Sequence, residues 1–182
     1  MKRMRGFTLM ELMIVIGLVV GAAALTATIG QRAGRQQNAT RLTQEMTQIE
    51  SRVRDGWAAE ANYGTVSTTQ VITRGYVPAS MVVDANTLRN AWGGTWTVVP
   101  DTWAGGAAEA VTGASFRITA TNIPTDTCVE SIQRSARHYL GIVVNNGADT
   151  WVVSNINQAP AIATLTAACT AATGVSIAWI TN

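Results

Sequence analysis

A run of 20 uncharged residues near the amino terminus, residues 12–31, constrains the fold of this chain more than any other feature. As an α-helix, which rises about 1.5 Å per residue, the run spans roughly 30 Å, the thickness of the hydrocarbon core of a membrane. Lys2, Arg3 and Arg5 precede the run, and Glu11 stands directly before it. Because an unpaired carboxylate is costly in apolar surroundings, the function of this segment has to account for Glu11.

Three kinds of segment combine a basic start with an apolar run. A secretory signal peptide would be cleaved near small residues such as those at 22–24, but Glu11 argues against it, because a charge that enters the apolar run weakens insertion. A plain transmembrane anchor explains the length of the run and leaves Glu11 unexplained. The third kind is cut after Gly6, so that Phe7 carries a new amino group and a neighbouring copy's amine pairs with the Glu11 carboxylate. The basic residues before the cut hold this end in the cytoplasm.

The stretch RGFTLMELMIVIGLVV, residues 5–20, resembles the class III leader and mature start of a type IV pilin. The resemblance implies that a membrane prepilin peptidase cleaves between Gly6 and Phe7 and N-methylates Phe7. Glu11 matches the glutamate at the fifth mature position of that family, which sets the register of assembly. The resemblance covers about the first 30 residues and explains both the length of the run and the carboxylate.

The pilin resemblance also implies a division of the chain. Residues 1–6 are the leader peptide, and residues 7–60 are a long N-terminal helix whose part 7–29 lies in the membrane or in the filament core. Residues 61–182 form a globular α+β domain. The implied fold is the type IV pilin fold, with the long helix packed against an antiparallel β-sheet and a disulfide-bounded C-terminal region.

The pilin subclass is indicated by four features that do not all agree. Thr28 stands where many type IVa pilins carry a proline, which favours type IVb. The short leader and Phe7 favour type IVa. The sequence NAWGGTWTV is similar to the region after the first loop in major pilins of conjugative thin pili, which belong to type IVb. The balance favours a type IVb major pilin.

The pattern of apolar residues extends the helix beyond the uncharged run. An apolar residue recurs every three or four positions from 42 to 57, which is typical of one buried helix face, and these residues are Leu42, Met46, Ile49, Val53 and Trp57. Asp55 and Gly56 mark a weakening or end point of the helix. The sequence therefore predicts one helix from Phe7 to about residue 60.

Short β-branched runs between turn residues predict an antiparallel sheet in the rest of the chain. The predicted strands are 66–72, 95–99, 115–121, 141–144, 150–153 and 175–180. The sequence VVNNGADTWVV predicts a hairpin around Asn145, Asn146 and Gly147. The sequence TDTCVESIQRSARHY predicts a helix capped by Thr125 or Asp126, and one of its faces is expected to carry Cys128, Ile132, Ala136 and Tyr139.

Cys128 and Cys169 are the two cysteines of the chain. Their spacing is not that of a metal site, and an exported domain meets an oxidising compartment, so a disulfide is favoured over two free buried thiols. The pair also resembles the bridge that bounds the C-terminal region of pilins.

The sequence contains no recognisable set of catalytic residues, and we expect neither an enzyme nor a metal or cofactor site. His138 is the single histidine and is expected to be structural. The six tryptophans suggest stacking on sugars or nucleobases, but packing in the core or between subunits is the favoured interpretation. Gly105 and Gly106 are read as a turn.

The composition agrees with a membrane-inserted or assembled protein, since charged residues make up 13% of the chain against roughly 25% in ordinary soluble proteins. The net charge of +2 does not point to nucleic acid. The expected function is the major subunit of a type IV pilus. Its partners would be other copies of itself, the prepilin peptidase and the assembly machinery of the bacterial inner membrane, where the precursor waits before it joins a surface filament. A minor pilin, a type II secretion pseudopilin and a membrane-anchored binding module are the alternatives.

Overall fold

The computed structural model describes residues 9–102, 113–155, 157–171 and 174–182, with the side chains of residues 21–33 outside the description. The chain divides into two compact units whose boundary lies between Gln37 and Asn38. Four α-helices occur in the described residues, α1 (Leu9–Trp57), α2 (Thr68–Thr73), α3 (Thr125–Ser135) and α4 (Ile162–Cys169), together with a 3-10 turn at Ala79–Met81.

The second unit contains a six-stranded antiparallel sheet. Its strands are β1 (Leu88–Arg89), β2 (Thr95–Asp101), β3 (Ser115–Ile123), β4 (Gly141–Asn145), β5 (Asp149–Val153) and β6 (Val175–Thr181). Their spatial order is β1-β2-β3-β6-β4-β5, so the C-terminal strand is inserted between β3 and β4. All neighbouring strands pair antiparallel, which confirms the predicted α+β class and sheet type.

The C-terminal part of α1 supplies the helical side of the core. The predicted stripe is buried, with Leu42, Ile49 and Val53 at 0% exposure and Trp57 at 2%. One face of the sheet supplies the other side, and it includes Trp96, Val98, Phe116, Ile118 and Trp179 in the same buried cluster. The periodicity of the sequence thus correctly predicted which face of the helix meets the sheet.

Several predicted elements are confirmed with small changes of boundary. The described part of the predicted helix 7–60 is helical from Leu9 to Trp57, while residues 7 and 8 lie outside the described residues. The hairpin around Asn146 joins β4 to β5, and Gly147 has a φ of +118°, which explains the glycine. The predicted turn at Gly105 and Gly106 lies outside the described residues.

The predicted strand 66–72 is wrong, because helix α2 occupies most of it. The side-chain oxygen of Ser67 accepts a hydrogen bond from the backbone N–H of Gln70 at 3.2 Å and caps the helix. This local hydrogen bond and the burial of Val71 outweigh the β-branched composition of the stretch.

The predicted cap of α3 is also wrong. Pro124 precedes the helix in an extended conformation and makes no side-chain cap hydrogen bond. Asp126 lies inside the first turn, where its Oδ1 accepts a hydrogen bond from the N–H of Thr127 at 2.8 Å. The predicted burial of Cys128, Ile132, Ala136 and Tyr139 is confirmed, but the helix ends at Ser135, so Ala136 and Tyr139 lie beyond it.

Candidate assembly surface

The N-terminal part of α1 exposes apolar side chains on every side of the helix. Ten large apolar residues between Leu9 and Val20 are 49–79% exposed, namely Leu9, Met10, Leu12, Met13, Ile14, Val15, Ile16, Leu18, Val19 and Val20. A helix that is apolar all round is stable only when lipid or protein covers it. We call residues 9–20 the apolar segment.

Glu11 is an exposed residue in the first turn of α1, within the apolar segment. A carboxylate near a helix N-terminus interacts favourably with the partial positive charge of the unpaired N–H groups there. Gly6 and Phe7 lie outside the described residues, so the cleavage between them and the pairing of Glu11 with an amine stay predictions.

Within the part of α1 and the other helices that the structure describes, no helix has a stretch long and apolar enough to cross a membrane. Of the predicted span 7–29, residues 7 and 8 and the side chains of residues 21–29 lie outside the description.

A buried carboxylate ties the C-terminal part of α1 to the rest of the second unit. Glu50 is 3% exposed, and its Oε2 accepts a hydrogen bond from the hydroxyl of Tyr139 at 2.6 Å. Its Oε1 accepts from the hydroxyl of Thr181 at 3.2 Å and lies 2.9 Å from Nη2 of Arg54. Burial and then the Glu50 carboxylate raise the pKa of Tyr139 far above its usual value, so this phenol stays protonated.

Sequence reasoning missed the Glu50 site. The signal available in the sequence was a glutamate directly after Ile49, at the border of the apolar stripe. His138, expected to be structural, lies at the edge of this site with its Nε2 at 3.8 Å from Oε1 of Glu50, and its side chain is 66% exposed. Among the described residues, no group of three or more His, Cys, Asp or Glu side chains is arranged to hold a metal ion.

The predicted disulfide between Cys128 and Cys169 is confirmed. It joins α3 to α4, and its two cysteines are 41 positions apart in the sequence. Both cysteines are fully buried, and Leu165 and Ala168 of α4 are buried beside them. The bridge thus closes the C-terminal region onto the core.

The first five residues of the NAWGGTWTV stretch, residues 90–94, form the turn between β1 and β2. The Oδ1 atom of Asn90 accepts hydrogen bonds from the N–H of Trp92 at 3.0 Å and of Gly94 at 2.9 Å, and its Nδ2 donates to the carbonyl of Thr121 at 2.6 Å. A Cβ atom at Gly94 would lie 2.1 Å from the same carbonyl oxygen, so only glycine fits there. Asn90 therefore fixes the turn against β3.

The family of the chain is decided by its globular part. Residues 36–182 match the family model described as PilS N terminal. The chain belongs to the PilS family of type IVb pilins. This match begins after the segment that carries the leader resemblance, so two separate parts of the chain indicate a pilin. The prediction of type IVb, which was based on Thr28 and the NAWGGTWTV stretch, is confirmed.

Two solved pilin structures share the fold. The type IVb pilin of Salmonella typhi is 20% identical, with a TM-score of 0.53 over 82% of this chain and 99% of that chain. TcpA, a type IV pilin of the El Tor biotype of Vibrio cholerae, is 15% identical, with a TM-score of 0.56 over 80% of this chain and 99% of that chain. Among curated proteins, none matches the sequence.

The pilin assignment explains why the apolar segment is exposed in the single chain. As a type IVb pilin, the chain is a subunit of a type IV pilus and assembles with copies of itself. The apolar segment is the part of its described surface that most needs covering. The Glu50 site, the disulfide and the Asn90 turn stabilise the folded unit that the filament carries.

Proposed function

We propose that this pilin is the major subunit of a type IVb pilus and that its apolar segment forms the contacts of the filament core. The exposure of ten large apolar side chains between Leu9 and Val20 carries the proposal. In the inner membrane, lipid would cover these side chains before assembly. In the filament, the same side chains would be covered by the apolar segments of neighbouring subunits.

The precursor is proposed to be cut by a prepilin peptidase between Gly6 and Phe7, with N-methylation of Phe7. The cut removes Lys2, Arg3 and Arg5, so the net charge of the chain changes from +2 to −1. These residues are the cytoplasmic anchor of the precursor, because arginine and lysine resist transfer across the membrane. Their loss frees the start of α1 to leave the membrane during assembly.

Glu11 is proposed to pair with the Phe7 amine of a neighbouring subunit. Each charge alone is costly in an apolar filament core, and the pair offsets both costs. The pair also selects one register between adjacent helices, because any other register leaves a carboxylate and an amine unpaired. The first-turn position of Glu11 keeps its carboxylate close to the end of the helix where the partner amine would lie.

A set of substitutions at Glu11 tests this proposal. Removing one partner of a buried pair costs about 3–5 kcal/mol, so Glu11→Ala should reduce filament yield more than about 100-fold. Glu11→Gln keeps hydrogen bonding and should assemble better than Glu11→Ala. Glu130→Ala is the matched control, since Glu130 is a half-exposed partner of Arg134 on α3 and should leave assembly unchanged.

The readout is the amount of processed subunit in membranes and in sheared surface material. We expect Glu11→Ala to be processed normally and to accumulate in the membrane. Normal yields of filaments from Glu11→Ala would refute the pairing. Counting the copies of this chain in sheared filaments separates a major subunit, which forms most of the polymer, from a minor one.

A further inference from the structure

The sheet has a second face, opposite the one that buries Trp96 and Trp179. Across β3, β6, β4 and β5, the residues in one row of this face are Thr119, Ala178, Val143 and Trp151. An open groove of about 350 Å³ is lined by Thr119, Ala178 and Val143 of this row, and Trp151 pairs with Val143 beside it. Its volume is at the lower end of the roughly 300–1,000 Å³ found for small-molecule sites.

Trp151 differs from the buried tryptophans of the second unit. Trp151 is 41% exposed, while Trp57, Trp96 and Trp179 are at most 2% exposed. The ring packs against β4 at Gly141, where a Cβ atom would lie 3.0 Å from its Cζ3. A glycine at this position lets the indole ring lie close to the sheet at the edge of the groove.

The groove has an apolar floor and a polar rim. Val143 and Ala178 form the floor, and Thr119, Ser176, Asn145 and Asp149 form the rim. The Nδ2 of Asn145 donates a hydrogen bond to Oδ1 of Asp149 at 2.7 Å, which fixes the two exposed side chains on adjacent strands. Within the part of the chain that the structure describes, the hydroxyls of Thr119 and Ser176 make no hydrogen bond to protein, so they are available to a ligand.

The charges of the groove favour a neutral ligand. Arg117 at one end is paired with Asp101, with Nε of the arginine 2.7 Å from Oδ2. Asp149 adds a negative charge and disfavours carboxylate or sulfate groups. A sugar ring without charge matches this set, because its hydroxyls both donate and accept hydrogen bonds and its C–H faces pack on apolar and aromatic surfaces.

We propose that this groove, with Trp151 at its edge, is a binding site for one or two neutral sugar units of a glycan. The ring of Trp151 provides the apolar contact, and Asp149, Asn145, Thr119 and Ser176 bind the hydroxyls. The proposal adds a ligand to the pilin and does not depend on how its N-terminus is processed.

The test uses the full-length chain solubilised in detergent on an array of neutral, sialylated and sulfated oligosaccharides. We expect saturable binding to neutral members and none to members that carry only acidic sugars. Trp151→Ala and Asp149→Ala should each weaken that binding at least about tenfold, since each removes a main contact. Ile162→Ala is the matched control, because Ile162 is 71% exposed on α4 and does not line the groove.

Gly141→Ala displaces the Trp151 ring without removing a polar group, so it should weaken binding by a similar factor. Asp149 is exposed, so the Asp149→Ala variant should fold and still test the proposal if a substitution at Trp151 or Gly141 prevents folding. Three results would overturn the proposal: no binding to any neutral sugar, binding to acidic sugars alone, or binding that Asp149→Ala leaves unchanged.

Discussion

The hydroxyl of Tyr139 lies 2.6 Å from Oε2 of Glu50, a carboxylate that is 3% exposed. The two residues are 89 positions apart in the sequence, and their hydrogen bond joins α1 to the segment that follows α3. The Thr181 hydroxyl and Arg54 bind the other carboxylate oxygen, so the last strand of the sheet is tied to the same point. This site fixes the position of the C-terminal part of α1 on the globular core.

Removing the Tyr139 hydroxyl should destabilise the pilin. A hydrogen bond to a charged group contributes about 1.5–3 kcal/mol, so Tyr139→Phe should lower the free energy of unfolding by that amount. Glu50→Ala should cost more, because it leaves the buried hydroxyls of Tyr139 and Thr181 without their carboxylate acceptor and removes the ion pair of Arg54. Denaturant unfolding at neutral pH measures both changes.

Glu130→Ala serves as the control for these variants, since its ion pair with Arg134 is solvent-exposed and should contribute at most about 1 kcal/mol. Equal stability of Tyr139→Phe and the wild type would mean that the hydrogen bond from Tyr139 to Glu50 does not stabilise the fold.

The stability of the pilin should fall at alkaline pH through Tyr139. Burial and Glu50 raise the pKa of Tyr139 in the folded state above the usual 10.0, so the folded chain keeps a proton that the unfolded chain releases. The contribution of Tyr139 to the free energy of unfolding is fully present below about pH 10. Above that pH it decreases by up to about 1.4 kcal/mol per pH unit. The stability difference between the wild type and Tyr139→Phe should therefore be smaller at about pH 11 than at about pH 8. A difference that stays constant or grows would contradict this assignment.

The Asn90 turn should depend on both ends of the amide side chain. Asn90→Ala removes the acceptor of two N–H groups and the donor to the Thr121 carbonyl, and each buried group left unpaired costs about 1–3 kcal/mol. Asn90→Asp keeps the acceptor but replaces the donor with a buried carboxylate oxygen that the Thr121 carbonyl repels, so it should cost at least as much as Asn90→Ala. Thermal unfolding ranks the two variants, and an Asn90→Asp variant clearly more stable than Asn90→Ala would show that the contact with Thr121 does not hold the turn.

The disulfide should stabilise the C-terminal region. The bridge closes a loop of 41 residues, for which the chain-entropy model gives about 4 kcal/mol. Reduction, or replacement of Cys128 and Cys169 by alanine, should lower the melting temperature. The melting temperature of the wild type in reducing conditions should match that of the double variant. If reductant also lowers the melting temperature of the double variant, the reductant has an effect unrelated to the bridge.

Local patterns in the sequence predicted the elements that depend on near neighbours. The apolar stripe from Leu42 to Trp57 and the hairpin at Gly147 follow from spacing and turn chemistry alone. The cap formed by Ser67 is also local, but the β-branched residues around it predict a strand, which is wrong. Helix α4 is not predicted by the sequence, because its alanine- and threonine-rich stretch has no clear period of apolar residues.

The contacts that join distant segments were not predictable. Glu50 meets Tyr139 and Thr181 across 89 and 131 positions, and no pattern in one sequence specifies such partners. The groove beside Trp151 depends on the insertion of β6 between β3 and β4, which brings Thr119 and Val143 into one row. Strand order is a property of the whole fold, whereas periodicity is a property of a short window.

We propose that the filament is built from the processed chain, and the N-terminus of the chain in the filament is the decisive measurement. The intact mass and N-terminal sequence should be measured for the chain from native membranes and from sheared surface material. We expect the sheared material to begin at an N-methylated Phe7 and to contain no lysine, because Lys2 is the single lysine of the sequence. A sheared chain that still begins at Met1, or that begins near residue 24, would contradict both the processing and the pairing of Glu11.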